Sequence, residues 1–518
     1  MKRFLVLTLA ALSLYAAGPR KQPKLVLMIV VDQFRYDYLT RFRADYNSGL
    51  ARLLDHGAVF TDARYDHYPT VTAVGHSTVM SGATPAISGI IANDWYDRGT
   101  KKSVSSVSDD NTEIVGTTGK KASSPHRMLV STISDELKMS GKGSPKVIGI
   151  SIKDRSAILP VGRMADAAYW FDNASGRFVS STWYFKEIPD WVKTFNDAHP
   201  GDQYAAKEWR PLAGGDVFVK MAAKGDKKLY NNLEKSPYGN EMIEAFTERA
   251  IAEEKLGQRG STDVLAVSFS ANDYVGHAVG PDDPQVKDMA IRTDRLFGKL
   301  FQYLESKVGM ANVTVVLTAD HGVAPVPEVS EKRKMPGGRF KVESMEEAIN
   351  KHLSKLYGDA KWVEGKTLVG PYLNWAVIAE KKLNAAAVRI AAAEAVGNLP
   401  HVVRVYTREQ LMRNEVPRDA VGRRVANGFY APRAADLCVV LEPYWFFGES
   451  ATGTSHMSTY SYDNHVPMIF MGPGIRAGRY YKPVIVNDIA PTLAVLLDIE
   501  TPSGSVGRVL DEILAVLP

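Results

Sequence analysis

Cysteine is nearly missing from this chain. A single residue, Cys438, in 518 excludes an intramolecular disulfide framework and a thiolate metal cluster. Any tightly held metal must therefore sit on histidine, carboxylate or hydroxyl ligands. A strong charge of one sign is missing too. Sixty-three Lys and Arg against 58 Asp and Glu leave +5, too slight an excess to argue for a nucleic-acid partner. A pI of 8.8 is compatible with an anionic small substrate without demanding one. Beyond the first twenty residues no run is long and apolar enough to span a bilayer, so no stable membrane anchor is expected. Repeats and low-complexity tracts are absent, and 41 Gly and 27 Pro without a G-X-Y period exclude collagen. What is present is 45% apolar and 23% charged residues, the balance of a globular protein with a real core. The length suits about three domains of ~150 residues, or one α/β sheet with large insertions.

The chain opens with Met1-Lys2-Arg3, the apolar run FLVLTLAALSLYA, and Ala17-Gly18. A basic start, a short apolar run and small residues read as a secretory signal over residues 1–18, cleaved near Ala16 to Gly18. An uncleaved N-terminal anchor is the other reading of this pattern. With no cysteine at the cleavage site and only one in the chain, the expected location is periplasmic or secreted.

Four apolar, β-branched runs stand out: Leu25 to Val31, Val147 to Ile152, Val264 to Ser268, and Val313 to Thr318. Each has the length of a buried strand and neighbours helical patterns, which predicts a mostly parallel sheet covered on both faces. After the third run, Val286, Met289, Ala290, Leu296, Phe297, Leu300, Phe301 and Leu304 keep the 3.6 period of a helix. Pro467 to Met471 reads as a further strand and Ile489 to Leu497 as a helix. Residues about 156–235, rich in aromatics and turn formers, and about 325–450, with an Ala-rich helix near Ala385 to Ala395, fit the sheet poorly. Both are expected as insertions on one catalytic domain spanning 19–518.

The residues after the strands carry the chemistry. Val31 is followed by Asp32, Ser268 by a loop with Asp273 and His277, and Thr318 by Ala319-Asp320-His321. Open parallel sheets bind ligands at these C-terminal ends. One Asp there is an ordinary cap or turn former. Three together, two of them with a nearby His, are better explained by a cation, because converging carboxylates repel. Asp and His without Cys suit Zn²⁺, and also Mn²⁺ or Fe. Thr72, expected just before a helix, sits where backbone N–H groups favour an oxyanion. Next to a metal its hydroxyl becomes a nucleophile. Asn93 offers an amide donor. Lys153 and Arg155, at the end of the second strand, point to one side if the chain stays extended there.

As a set, VVDQFRYDYL, PTVTAVGHSTVMSG, GIIANDW, NDYVGHAVGP and TADHGV resemble the alkaline phosphatase superfamily. The likeness is to its PafA-type secreted phosphomonoesterases, relatives of the nucleotide pyrophosphatase/phosphodiesterases. The resemblance runs from about Lys24 to the C-terminus. It implies an alkaline-phosphatase-like α/β/α sandwich with inserted cap segments and two Zn²⁺ per chain. One would lie on Asp32, Thr72, Asp320 and His321, the other on Asp273, His277 and His456, with His465 as the alternative to His456. It implies a phosphothreonine intermediate on Thr72, with Asn93, Lys153 and Arg155 holding the phosphoryl oxygens of small-molecule phosphate monoesters. His76 would orient the nucleophile helix. His56, His67, His126, His199, His352 and His401 are left as surface or capping residues. Gln33 stands where diesterases commonly have Gly. A phosphodiesterase or pyrophosphatase on the same metals is the second reading. A sulfatase, which needs a convertible Cys or Ser, and a non-enzymatic exported binding protein are the others.

Overall fold

The computed structural model describes residues 22–118, 121–448 and 450–515, so the expected export signal lies outside the described residues. Strand β1 (Leu25–Val31) carries no polar side chain, and all seven of its residues are buried. A continuous apolar run of this kind is what a strand covered on both faces requires. In chain order there follow β2 (Ala58–Arg64), helix α1 (Thr72–Ser81), β3 (Val147–Ser151), β4 (Ala167–Asp172) and β5 (Arg177–Ser181). Next come β6 (Asp263–Phe269), α2 (Ala271–Val279), α3 (Pro284–Lys307), β7 (Val313–Thr318), β8 (His465–Met471) and α4 (Ile489–Leu497).

The central sheet has twelve strands, and its middle runs β2–β8–β7–β1–β6–β3–β4–β5. From β7 to β4 five consecutive strands are parallel. Strand β8 is antiparallel to both β7 and β2, and β5 is antiparallel to β4, so the sheet as a whole is mixed. Helix α3 follows the expected stripe. Its apolar face is buried, Pro284 opens it, and the Asp283 side chain accepts the Gln285 N–H as its N-cap.

One expectation changes here. The stretch 156–235 does not stay outside the sheet: β4 pairs with β3, and β5 closes back on β4. Tyr169, Trp170 and Phe171 are strand residues buried against Phe178 and Phe246. The turn residues flanking them hid a strand that is buried from Ala167 to Phe171. The stretch 325–450, by contrast, pairs its strands in small two-stranded sheets of its own. It also builds a separate apolar cluster, in which Val71 and Val74 of the α1 region take part.

Every residue of α1 is buried. The helix is pressed onto the backbone after β7: a Cβ at Gly75 would lie 2.3 Å from the Asp320 carbonyl oxygen and 2.7 Å from its Cα. Only glycine allows this approach. Gly75→Ala is therefore expected to destabilise the protein by about 1–3 kcal/mol, the usual range for overpacking. Denaturant unfolding measures it, and an unchanged midpoint would show that the helix and loop separate freely.

Candidate active site

Strand register places the site. Val30 pairs with both Ser268 and Thr318, and Ser268 pairs with Ser151. Two residues beyond this common row, just past the ends of four different strands, stand Asp32, Ser270, Asp320 and Lys153. Asp273 follows in the first turn of α2, and His277 lies at i+4 on the same helix face, with Nε2 3.1 Å from Asp273 Oδ1. Asp32, Asp273, Asp320, His321, His456, Lys153 and Thr72 are all buried, and His277 sits partly exposed at the rim.

The ligand atoms fall into two trios, Asp32–Asp320–His321 and Asp273–His321–His456, within each of which all lie no more than 4.8 Å apart. His321 Nε2 is 3.5 Å from Asp32 Oδ1, 3.3 Å from Asp320 Oδ2 and 3.4 Å from Thr72 Oγ1. The rings of His321 and His456 stack at 3.6 Å. Each imidazole is oriented by a backbone carbonyl. Nδ1 of His277 meets Thr454 O at 2.8 Å, Nδ1 of His321 meets Gly322 O at 3.0 Å, and Nδ1 of His456 meets Thr70 O at 2.7 Å. A carbonyl only accepts, so Nδ1 carries a proton in each ring; in His321 and His456 Nε2 is left with its lone pair, while at His277 Nε2 faces Asp273 Oδ1, which raises that imidazole against burial. His465 is elsewhere. Its Nε2 bonds Thr61 O at 3.0 Å and its ring stacks on Tyr36, so of the two alternatives His456 is the one brought to the cluster.

The electrostatics are those of carboxylates packed together away from water. Burial, with repulsion from Asp320 and Asp273, pushes the Asp32 carboxyl up to about 7. Burial acts the same way on Asp273, but His277 and Lys153 outweigh it and hold that carboxyl well below its usual range. Lys153 Nζ donates to Asp32 Oδ2 at 2.7 Å and to Asp273 Oδ2 at 2.6 Å, which keeps the ammonium charged against burial. Burial pushes the His321 imidazole down to about 4 and that of His456 well below its ordinary value. Both rings are therefore neutral, as metal ligands must be.

Asp32 Oδ1 and Asp320 Oδ2 are buried without a hydrogen-bond partner. Orphaned carboxylate oxygens beside neutral imidazole nitrogens are costly unless a cation shares them. The residues present thus fit divalent metal, with a donor set of carboxylate oxygen, imidazole nitrogen and hydroxyl suited to Zn²⁺, Mn²⁺ or Fe.

Thr72 is the first residue of α1 rather than its cap. Val71 holds the cap position and no side chain caps the helix. Asn93 Oδ1 accepts the Ala73 N–H at 2.8 Å, bringing its amide to that helix end. Beside Asn93 opens a cavity of about 300 Å³ whose walls include Val71, Val369 and Met457. His76 ties the helix to the sheet: Nδ1–H donates to Thr72 O at 2.8 Å and Nε2 accepts from Ser268 Oγ at 2.8 Å. The chain does not stay extended after β3. Lys153 is the N-cap of a short helix, Asp154–Ile158, so Lys153 and Arg155 do not reach the site as alternate residues of one strand. Lys153 enters the carboxylate cluster, while Arg155 remains partly exposed with a charge felt by both Asp94 and Lys153.

The family described as type I phosphodiesterase / nucleotide pyrophosphatase matches residues 26–465. The chain belongs to this family. Alkaline phosphatase PafA of Elizabethkingia meningoseptica is 35% identical over 96% of this chain and 95% of its own length. The solved structure of wild-type PafA superposes with a TM-score of 0.89 at 34% identity, covering 95% of this chain and 99% of that one. A Myroides odoratus protein named calcium-transporting ATPase is 36% identical over 96% of both chains. Among the described residues here, no helix is long and apolar enough to cross a membrane.

One left-over histidine is corrected: His67 is fully buried, not superficial, and burial pushes it down to about 3. Its ring meets Tyr65 edge-on. Alternating residues of the 65–68 stretch gave no apolar pattern from which to infer this. Sequence reading also missed the carbonyls of Thr70, Gly322 and Thr454, because a backbone oxygen leaves no signature in residue type.

The Asp32 shift has a measurable sign. A carboxyl raised from its unfolded value to about 7 favours folding at low pH, and that contribution is lost as pH rises toward 7. In chelator-treated protein, Asp32→Asn is expected to flatten the fall of melting temperature between about pH 4 and pH 7. It should melt above the parent at pH 8 and level with it near pH 4. Parallel melting curves for the two proteins would contradict the assignment.

Proposed function

We propose that this chain is an exported alkaline phosphatase that hydrolyses small phosphate monoesters through a phosphothreonine at Thr72. The observation that carries the reading is the placement of the Thr72 hydroxyl. It lies at the start of a buried helix, 3.4 Å from the one imidazole shared by both metal-competent trios. Two Zn²⁺ would be held by Asp32, Thr72, Asp320 and His321, and by Asp273, His277 and His456. Such ions supply acidity at the attacking hydroxyl and charge neutralisation at the departing oxygen.

The chain's own residues do the rest. Thr72 Oγ1 forms its bond to phosphorus as the bond to the alcohol oxygen breaks in line. Water then attacks the phosphothreonine and frees phosphate and the threonine. His76 fixes the first turn of α1 by its bond to Thr72 O, and so fixes the line of attack. The Asn93 amide, whose oxygen is already engaged, presents Nδ2 as its donor to a phosphoryl oxygen. Lys153 and Arg155 balance the equatorial charge, which a loose phosphoryl-transfer transition state retains. A monoester dianion offers two charged oxygens to this pair, where a diester has one of them esterified, so the pair favours monoesters. A solved variant of PafA carries substitutions at a threonine, an asparagine, a lysine and an arginine. The threonine-to-asparagine spacing there equals that from Thr72 to Asn93, and the lysine and arginine are two apart, as Lys153 and Arg155 are.

The test compares kcat/KM for an aryl phosphate, its methyl diester and an aryl sulfate, with zinc measured in the same sample. The phosphate monoester is expected to be the best substrate. The double variant Lys153→Ala, Arg155→Ala should lose about 10²–10³-fold on the monoester, the scale of removing charge-stabilising donors, and under ~10-fold on the diester. Loss confined to the diester would move the assignment to a phosphodiesterase. Thr72→Ala should abolish all three turnovers, and a Thr72-independent rate would end the phosphothreonine mechanism.

A further inference from the structure

Gln33 touches more of the site than any role so far explains. It follows Asp32 directly and is 2% exposed. Its backbone N–H donates to Asp320 Oδ1 at 3.0 Å, and its side-chain Nε2 donates to Asp273 Oδ1 at 2.6 Å. One residue therefore reaches all three carboxylates: Asp32 through the peptide bond, Asp320 through the main chain and Asp273 through the amide. It does so with φ at 60°, the left-handed region that non-glycine side chains seldom enter. Strain of this kind persists only where the surroundings impose it.

The opposing helix is shaped for this side chain. Gly276, one turn after Asp273 on α2, faces the amide so closely that a Cβ would lie 1.9 Å from Gln33 Oε1. The missing side chain at 276 and the long polar side chain at 33 are two halves of one contact. An amide is also the group the contact requires. It donates to Asp273 without adding a fourth negative charge, where a glutamate of the same length would repel the carboxylate.

We infer that Gln33 is a positioning residue that yokes the two ligand groups together. Through Oδ1 of Asp320 it leaves the second oxygen of that carboxylate to the centre, and through Oδ1 of Asp273 it fixes the plane of the other carboxylate. For Asp320 that second oxygen is the buried, unpartnered Oδ2, 3.3 Å from His321. At Asp273 the bonded Oδ1 also lies 3.1 Å from His277 Nε2, while Lys153 holds Oδ2. The inference rests on the reading of these groups as zinc sites. It adds that their spacing is held by Gln33, outside the ligand set itself.

Two single substitutions and their combination test it, using the full chain stripped with chelator and titrated with Zn²⁺ against a chromophoric competitor. Gln33→Gly removes the amide and lets glycine adopt φ of 60° freely. The metal-free protein should therefore melt no lower than the parent, while Zn²⁺ affinity falls about 10-fold or more for at least one ion. Gly276→Ala should bring a similar loss of affinity by displacing the amide. In the Gln33→Gly background it should bring none, because the contact it disturbs is already gone. Turnover restored to Gln33→Gly by excess Zn²⁺ would accord with a positioning role. Parental affinity for both ions in Gln33→Gly would overturn the inference, as would a lowered metal-free melting temperature that accounts for the loss, or additive effects of the two substitutions. A parent chain that takes up no Zn²⁺ would instead sink the zinc reading itself, and with it this one. Retained zinc in the parent separates the two failures.

Discussion

Parallel strands that end level with one another force their next residues into the same small space, and here those residues are acids. Because Val30, Ser268, Thr318 and Ser151 share a row, Asp32 and Asp320 come out of the sheet side by side, and α2 brings Asp273 to join them. Three buried carboxylates at this separation repel strongly in a medium that screens poorly. The structure survives only by supplying positive charge. Lys153 supplies one unit, and the imidazole lone pairs join the carboxylates in groups that could hold divalent cations. Burial and that repulsion together raise the Asp32 carboxyl, while burial depresses the His321 and His456 imidazoles against the pull of the carboxylates.

The precision of the site comes from parts that carry no chemistry. Three imidazoles are aimed by main-chain carbonyls in loops far apart in sequence, at Thr70, Gly322 and Thr454. The loop bearing His456 is itself held down: Thr70 Oγ1 donates to Ser458 O, and the buried Asp463 accepts the Ser458 N–H. Two glycines serve the same end by absence. Gly75 lets helix α1 rest on the Asp320 backbone, and Gly276 admits the Gln33 amide. Phosphoryl transfer asks little covalent work of a protein and much positioning, and this scaffold is built accordingly.

Strand β1 and strand β7 were legible to the residue, and α3 nearly so, since a buried strand and an amphipathic helix each impose a strict pattern on residue type. The stretch around Tyr169 to Phe171 was not. A short aromatic run between turn formers reads alike as surface decoration or as a strand, and only its pairing with β3 decides. Asp32, Asp273 and Asp320 announced themselves by following strands, and His277 and His321 by lying near them. His456 and His465 could not be told apart locally. One is bonded to Thr70 O beside the carboxylates and the other to Thr61 O at the start of β8, and nothing in either's immediate neighbours encodes that difference.

Sequence alone determined which residue types follow which strands, that any metal had to be held without thiolates, and that a threonine stands at the entry to a helix. These are local or compositional properties, and a linear chain carries them whole. Tertiary structure decided how close those residues come, that Asp32 and Asp320 each keep an open oxygen, which histidine joins them, and that Lys153 alone of its pair enters the carboxylate cluster. Those outcomes depend on register between strands hundreds of residues apart and on backbone carbonyls identical in every residue, so no pattern along the chain can express them.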